Sequence, residues 1–218
     1  MQIPSNPLLK TSIPVTIAPD CIENDVIKRP INRKSADIIR QDNANTAIAQ
    51  LERDGMELFG LTKGQFSLSD LLQAVLDKTG PAALAISTWT AAHADVERMM
   101  QLLESGKIVS CRWLVDQTFT RRTPALAAEI RRKFGDDAMR VTRTHAKFAT
   151  ITNQIWQVAI RSSMNLNQNP RLESFQLGHD PELCKFLDDA LDNIWEKQPK
   201  SLQETYNSKA VTEWWINN

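Results

Sequence analysis

The sequence predicts an α/β protein with a mixed, mostly parallel sheet that is flanked by helices on both faces. Two observations predict it. From Met56 onward, short apolar segments alternate with helix-like segments, which is the pattern of strands joined by crossover helices. Helix starts are also well marked, because Ser67 and Asp70 have capping-box spacing and Pro124 and Pro181 suit the first turn of a helix.

The elements follow in order along the body of the chain. Helix 67–79 ends at Gly80 and Pro81, and helix 91–105 places Val96, Met99, Met100 and Leu103 on one face. The turn residues Asn153 and Gln154 join the last two strands. The predicted strands are 56–61, 83–89, 108–116, 145–152 and 154–163, and two further helices are 124–134 and 181–197.

Three regions are predicted. Residues 1–55 form an N-terminal arm, since the first 32 residues contain five prolines and the segment from Ser35 to Gly55 has the narrow apolar stripe of a weak helix. Residues 56–197 form the α/β domain. Residues 198–218 form a helical tail, in which Trp214 and Trp215 are better suited to anchoring or core packing than to base stacking.

Composition favours a folded, water-soluble domain. Hydrophobic residues make up 42% of the chain and charged residues 24%, and no apolar run is long enough to cross a bilayer. The first residues lack the uninterrupted apolar core of a secretory signal, so we expect a cytoplasmic protein without membrane contact. The three cysteines form no C-x-x-C pair, and no spacing of ligand residues indicates a metal or another cofactor.

The net charge is zero, which argues against a simple DNA-coating protein. The distribution is less even, because residues 112–147 carry nine basic and four acidic side chains, whereas residues 173–213 carry nine acidic side chains and four lysines. A basic surface could attract a phosphate backbone, although ordinary solvated helix faces are the favoured interpretation of any one such charge cluster. Arg121 and Arg122 belong to this basic stretch and could contact a nucleic-acid backbone, but a solvated loop is the favoured interpretation.

Candidate chemistry concentrates between residues 144 and 175. In an extended strand His145 and Lys147 project from the same face, and the following hairpin brings Ser163 and Asn165 back beside them. An imidazole can attack phosphorus or transfer a proton near neutral pH. Ammonium, hydroxyl and amide groups can donate hydrogen bonds to phosphoryl oxygens. The pattern therefore suits a phosphodiester substrate.

The segment resembles the signature of the phospholipase D superfamily, in which H-x-K is followed by an aspartate and, after a strand, by G-S-x-N. This chain has H-A-K at 145–147 and S-S-M-N at 162–165. The resemblance spans roughly residues 56–197 and includes the strand ending S-T-W-T and the strand ending L-V-D. Within the superfamily, the run R-S-S-M-N-L-N resembles a branch of single-motif proteins known mostly from phages and prophages.

The resemblance implies a role for each residue. His145 would be the nucleophile that forms a phosphohistidine, while Lys147 and Asn165 bind the phosphate and Ser163 supports that pocket. Glu173 would hold the histidine by a hydrogen bond. Thr88, Trp89 and Thr90 follow a central strand and, with Asn167, are possible pocket-lining residues. The histidine at position 93 is interpreted as a capping or surface residue.

The chain departs from the family pattern at three points. Thr152 stands where the family has aspartate, Ser162 stands where it has glycine, and the chain contains a single H-x-K. Single-motif members of the family pair two subunits so that each contributes one histidine, which implies a homodimer.

Two functions remain open. The first is a metal-independent phosphodiesterase, with nucleic acid as a possible substrate and no cofactor. The second is a catalytically inactive binding or adaptor protein of a phage or mobile element that keeps a phosphate-sized pocket. The intact set of His145, Lys147, Ser163 and Asn165 favours the enzyme, whereas Thr152 and the neutral net charge favour the adaptor.

Overall fold

The computed structural model describes residues 34–39, 43–53 and 55–198. The strands in these ranges are β1 (Lys34–Ile39), β2 (Met56–Thr62), β3 (Ala82–Thr88), β4 (Ile108–Asp116), β5 (Met139–Thr142), β6 (Phe148–Thr152), β7 (Gln157–Ser162) and β8 (Glu173–His179). The α-helices are α1 (Ala44–Ala47), α2 (Leu68–Thr79), α3 (His93–Glu104), α4 (Gln117–Arg122), α5 (Pro124–Phe134) and α6 (Pro181–Lys197). Strand and helix alternate through much of the chain, as the sequence predicts.

All eight strands belong to one sheet, in the order β1-β2-β8-β7-β6-β3-β4-β5. The pairs β1–β2, β3–β4 and β4–β5 are parallel, and the other four pairs are antiparallel. Six strands therefore run in one direction, and only β6 and β8 run in the other. The predicted mixed α/β sheet is confirmed.

Helices cover both faces of this sheet because the buried strands present apolar side chains alternately to each side. Leu84 and Ile86 of β3 belong to the main hydrophobic cluster, which includes the apolar faces of α1, α2, α3 and α5. Ala85 faces the opposite side and packs with Leu191 and Ile194 of α6. Within the described residues, no helix combines the length and the apolar character that spanning a bilayer requires.

The region before Met56 differs from its predicted form. The prediction of a helix starting near Ser35 is wrong for Lys34–Ile39, which forms β1 and pairs in parallel with β2. Among the described residues of this region, only the short α1 is helical, and its Ala47 packs with Leu51 into the main core. Because the apolar stripe of Lys34–Ile39 is weak, its pairing with β2 determines its conformation. The predicted extended arm before residue 34 and the tail with Trp214 and Trp215 lie outside the described residues.

The ends of five neighbouring strands lie together on one side of the sheet, the side where β3 and β4 have their carboxyl ends. Thr88 and Asp116 end β3 and β4, and Ser162 ends β7. The antiparallel strands β6 and β8 begin at the same edge, at Phe148 and Glu173. The chain segments at this edge contain most of the residues that the sequence singles out. The sheet thus brings together side chains that are far apart in sequence.

Candidate functional site

The segment that carries His145 and Lys147 is a loop, and not the start of a strand. The sequence predicts a strand from His145, but β6 begins at Phe148. Lys147 still joins the β6–β7 ladder through its carbonyl oxygen, which accepts a hydrogen bond of 3.0 Å from the backbone N–H of Ser162. The hairpin therefore fixes Lys147, while His145 lies just beyond the sheet on an exposed turn of chain.

Two buried side chains hold this loop. The hydroxyl of Ser87 in β3 donates a hydrogen bond of 2.9 Å to the carbonyl oxygen of Ala146. One carboxylate oxygen of Asp116 accepts from the backbone N–H of Thr144 at 3.2 Å, and the other accepts from the Thr118 N–H at 2.8 Å at the start of α4. Asp116 thus ties the His145 loop to the end of β4. Neither contact could be predicted from the sequence, because both depend on which strands are neighbours in the sheet.

The ammonium of Lys147 lies against the His145 side chain. Its Nζ is 3.0 Å from Nδ1 and 3.2 Å from Nε2 of the imidazole, and it donates a hydrogen bond of 2.9 Å to the His145 carbonyl oxygen. Lys147 is only 8% exposed, and this burial lowers the pKa of its ammonium below the usual value. The negative charge of Glu173 acts in the opposite direction but is the smaller effect. An ammonium in this position can donate to an anion that approaches His145.

Glu173 and Ser163 contact each other. The Ser163 hydroxyl donates a short hydrogen bond to a carboxylate oxygen of Glu173, and it accepts one of 2.9 Å from the backbone N–H of Ser174. Within the described part of the chain, Glu173 makes no hydrogen bond to His145. Its contribution to the Lys147–His145 pair in this structure is electrostatic.

Asn165 and Asn167 lie in a small cleft rather than against the imidazole. The cleft is also lined by Thr62, Ser67 and Glu173. The Oδ1 atoms of both asparagines are buried and have no hydrogen-bond partner within the described residues. Buried polar atoms are nearly always paired in folded proteins, so two such atoms side by side mark a polar recess next to Glu173.

Thr88, Trp89 and Thr90, at the end of β3, have different environments. Thr88 is fully buried, and its hydroxyl donates a hydrogen bond of 2.8 Å to the Thr90 carbonyl oxygen. Trp89 is half-buried, and its ring centre lies 5.8 Å from that of His145. The guanidinium carbon of Arg122 lies 4.4 Å from the Trp89 ring centre, in cation–π contact. Trp89 therefore belongs to the surroundings of His145, and the contact between Arg122 and Trp89 was not predicted from the sequence.

His93 and Thr152 are not part of this group of contacts. His93 is on the surface, with 69% of its side chain exposed, and its Nε2 lies 3.5 Å from a carboxylate oxygen of Glu129. Thr152 is the last residue of β6, five residues beyond Lys147 and so roughly 16 Å away along an extended strand. A carboxylate at position 152 would lie at the opposite end of the strand from His145. Its absence therefore leaves the contacts around His145 intact.

Ligands for a metal ion do not gather here. Among the described residues, no three His, Cys, Asp or Glu side chains are arranged to hold an ion. The group in contact with the His145 ring is instead the Lys147 ammonium, and the Glu173 carboxylate is close enough to act on its charge. The ammonium is suited to binding an anion.

No family model matches the chain, and no curated protein matches it. Similar solved structures include polyphosphate kinase from Porphyromonas gingivalis, with 14% identity, a TM-score of 0.49, and coverage of 71% of this chain and 29% of that chain. Phosphatidylserine synthase from Haemophilus influenzae Rd KW20 has 15% identity, a TM-score of 0.48, and coverage of 72% and 43%. TrmBL2, an archaeal chromatin protein with "a novel mode of DNA binding", has 11% identity, a TM-score of 0.44, and coverage of 65% and 53%.

The chain thus spans between 29% and 53% of the length of these structures. With TM-scores below 0.5, these similarities assign neither a family nor an activity to it.

Burial of the Lys147 ammonium leads to a prediction about stability. Because the folded-state pKa is lowered, the unfolded chain binds the proton more tightly, and the folded state is penalised at every pH below the folded pKa. Lys147→Met removes the buried charge, so we expect its free energy of unfolding at pH 7 to exceed that of the wild type by about 0.5–2 kcal/mol. Urea denaturation measures this difference. It should shrink as the pH rises towards the pKa of an exposed lysine, because the wild type then buries a neutral amine.

Lys185→Met is the matched control. Lys185 is exposed on α6 and pairs with Asp189 across one turn, so its replacement should change stability by less than about 1 kcal/mol. A loss of more than about 2 kcal/mol in Lys147→Met would instead show that Lys147 is a structural hydrogen-bond donor whose removal leaves its acceptors unpaired.

Proposed function

We propose that the chain is a phospholipase D-like phosphodiesterase that cleaves nucleic acid through a phosphohistidine on His145. One observation carries the proposal: a buried ammonium, that of Lys147, lies within hydrogen-bond distance of an exposed imidazole at the edge of the sheet. An exposed imidazole is accessible to a substrate. A buried cation beside it interacts strongly with a charged phosphoryl group because little water screens the interaction.

The proposed reaction has two displacement steps. In the first, a ring nitrogen of His145 attacks phosphorus, an N–P bond forms, and the bond from phosphorus to the leaving oxygen breaks. The leaving alkoxide takes a proton from a general acid. In the second step, water attacks phosphorus, the N–P bond breaks, and the same group accepts the proton from the water. Lys147 donates to the phosphoryl oxygens throughout, so its charge supports both steps.

A homodimer would supply the general acid. The sequence contains one H-x-K, and a single imidazole acting as nucleophile does not also protonate the leaving group on the opposite side of phosphorus. A two-fold axis passing close to His145 would place a second copy of the same residue there. Each subunit would then contribute one histidine to a shared site.

Asn165, Ser163 and Glu173 complete the proposed pocket. The cleft that Asn165 lines with Glu173 has a volume of only about 10 Å³, so it would have to open before the Asn165 amide could donate to a phosphoryl oxygen. Ser163 holds the Glu173 carboxylate. Glu173 would orient His145 through its charge, or through a hydrogen bond that forms when substrate displaces the Lys147 ammonium from the ring.

A second candidate is a non-catalytic phosphate-binding or adaptor protein. The observation that favours it is the hydrogen bonding of Glu173, which reaches Ser163 and not the His145 ring. An imidazole without an orienting carboxylate is a weaker nucleophile. Such a protein would still bind phosphate groups through Lys147.

Replacing His145 separates the two candidates. His145→Ala should lower kcat by at least about a thousandfold, because it removes the group that bonds to phosphorus. Stability should change by less than about 1 kcal/mol, since the side chain is exposed and the His145 carbonyl oxygen still accepts a hydrogen bond from Lys147. The substrates are a single-stranded oligonucleotide and bis(p-nitrophenyl) phosphate, each assayed in EDTA, because Lys147 supplies the charge that stabilises the phosphoryl oxygens.

His93→Ala is the control for the loss of a histidine, because His93 is exposed and contacts Glu129 on another part of the surface. It should retain turnover within about twofold. If the wild type cleaves no phosphodiester, or if His145→Ala destabilises the fold as a core substitution does, the adaptor function replaces the enzyme.

The dimeric site predicts how mixed subunits behave. When wild-type and His145→Ala chains exchange subunits, a mixed dimer would hold one histidine and no opposing partner, so it should be inactive. With a large excess of His145→Ala, activity should therefore fall well below the fraction of wild-type chains present. Activity that follows the wild-type fraction, or a monomer by light scattering at every concentration, would contradict a shared site.

A further inference from the structure

Arg122 is held in a fixed position next to the His145 site. Its Nε donates a hydrogen bond of 3.3 Å to the Thr118 carbonyl oxygen, and one terminal nitrogen donates to the Thr118 hydroxyl at 3.1 Å. That hydroxyl in turn donates to Asp116 at 2.6 Å. With its guanidinium stacked on Trp89 as well, Arg122 is ordered before any ligand binds. Ordering of this kind lowers the entropy lost on binding.

The guanidinium nevertheless keeps free donors. A guanidinium has five N–H groups, and the structure uses two of them in hydrogen bonds to Thr118. Within the described residues, Arg122 has no carboxylate partner, and the same holds for the exposed arginines Arg121 and Arg143. Five other arginines do pair with carboxylates, namely Arg98, Arg112, Arg132, Arg140 and Arg161. The unpaired charge is therefore available to an external anion.

The distance from this charge to His145 indicates which anion it fits. The Trp89 ring centre lies 5.8 Å from the His145 ring and 4.4 Å from the Arg122 guanidinium carbon, so the cation is no more than about 10 Å from the imidazole. Adjacent phosphates of one strand are separated by a single sugar and its ester oxygens, a spacing of the same order as this distance. A phosphate bound at His145 therefore leaves Arg122 within reach of one of the next few phosphates on the same strand.

We infer that Trp89 and Arg122 form a second anion subsite, which binds a phosphate neighbouring the scissile one on a single nucleic-acid strand. This inference rests on the proposed phosphodiesterase and specifies its substrate as a chain with several phosphates. A diester with one phosphate reaches His145 and Lys147 but leaves the Arg122 subsite empty. The two kinds of substrate should therefore respond differently to a change at Arg122.

The test compares Arg122→Ala with the wild type on a single-stranded decanucleotide and on bis(p-nitrophenyl) phosphate, both with the full chain. On the decanucleotide, KM should rise about tenfold with kcat little changed, because a phosphate contact that is present before and during reaction is lost. The slope of log KM against log salt should fall by about 0.7, the value for one phosphate contact on a single strand. On bis(p-nitrophenyl) phosphate, kcat/KM should stay within about twofold.

Two further variants sharpen the result. Arg132→Ala removes an equal charge from an exposed residue that pairs with Glu129 on α5, and it should leave both substrates unaffected. Arg122→Lys keeps the charge but loses the planar fork, so it should keep most of the salt slope and recover part of the affinity. Equal losses on both substrates in Arg122→Ala would overturn the inference, because Arg122 would then act by positioning Trp89 and His145. An unchanged decanucleotide KM would overturn it as well.

The inference can fail separately from the proposed activity. If the wild type cleaves neither substrate, fluorescence anisotropy of a labelled decanucleotide still measures binding to the same chains. Weaker binding by Arg122→Ala, with a salt slope smaller by about 0.7, would support the subsite without catalysis. Absence of oligonucleotide binding by the wild type, or equal binding by both chains, would overturn it.

Discussion

The Lys147 ammonium is removed from water at the edge of the sheet, and the arrangement of the neighbouring residues follows from that burial. A buried cation is strongly unfavourable unless acceptors surround it. Here the acceptors come from His145, through its carbonyl oxygen and its ring. The loop must therefore fold back over the ammonium rather than continue β6 outward. Ser87 and Asp116 hold the loop in this conformation through the Ala146 carbonyl oxygen and the Thr144 N–H.

The same constraint links stability to binding. Burial lowers the pKa of Lys147, and the Glu173 charge offsets this only partly. A phosphate at His145 would bring negative charge close to the ammonium and so favour its protonated form. Ligand that binds only the folded state also stabilises that state. The proposed function requires a site that is unfavourable when empty and favourable when an anion is bound, and under that proposal the anion would account for a lysine in this buried position.

The sequence identified elements whose limits are set locally. The bounds of β4, α5 and α6 agree with the prediction, because prolines begin both helices and an unbroken apolar run marks the strand. The prediction failed where pairing with a neighbouring strand determines whether a segment is a strand. Lys34–Ile39 becomes a strand only beside β2, and the largely polar β8 is a strand because β2 and β7 flank it.

The contacts of the candidate site also fall into two groups, those within one segment, which the sequence could predict, and those between distant segments, which it could not. His145 and Lys147 are two residues apart, so their contact could be predicted even though β6 begins later than expected. The contacts of Asp116 and Trp89 with the His145 loop, and of Arg122 with Trp89, join segments separated by more than twenty residues. Only the order of strands in the sheet brings them together. Glu173 was predicted from the family resemblance as a hydrogen-bond partner of His145, and that contact is absent from the described residues while the electrostatic one to Lys147 is present.

The most direct test of a phosphoryl site on His145 and Lys147 is a crystal structure of the full chain soaked with orthovanadate. We expect vanadium within covalent distance of a His145 ring nitrogen, and a vanadate oxygen that accepts a hydrogen bond from Lys147 Nζ at about 2.7–2.9 Å. The Lys147 ammonium would then have moved from the imidazole to the anion. Vanadate bound elsewhere, or a His145–Lys147 contact unchanged at saturating vanadate, would contradict the account.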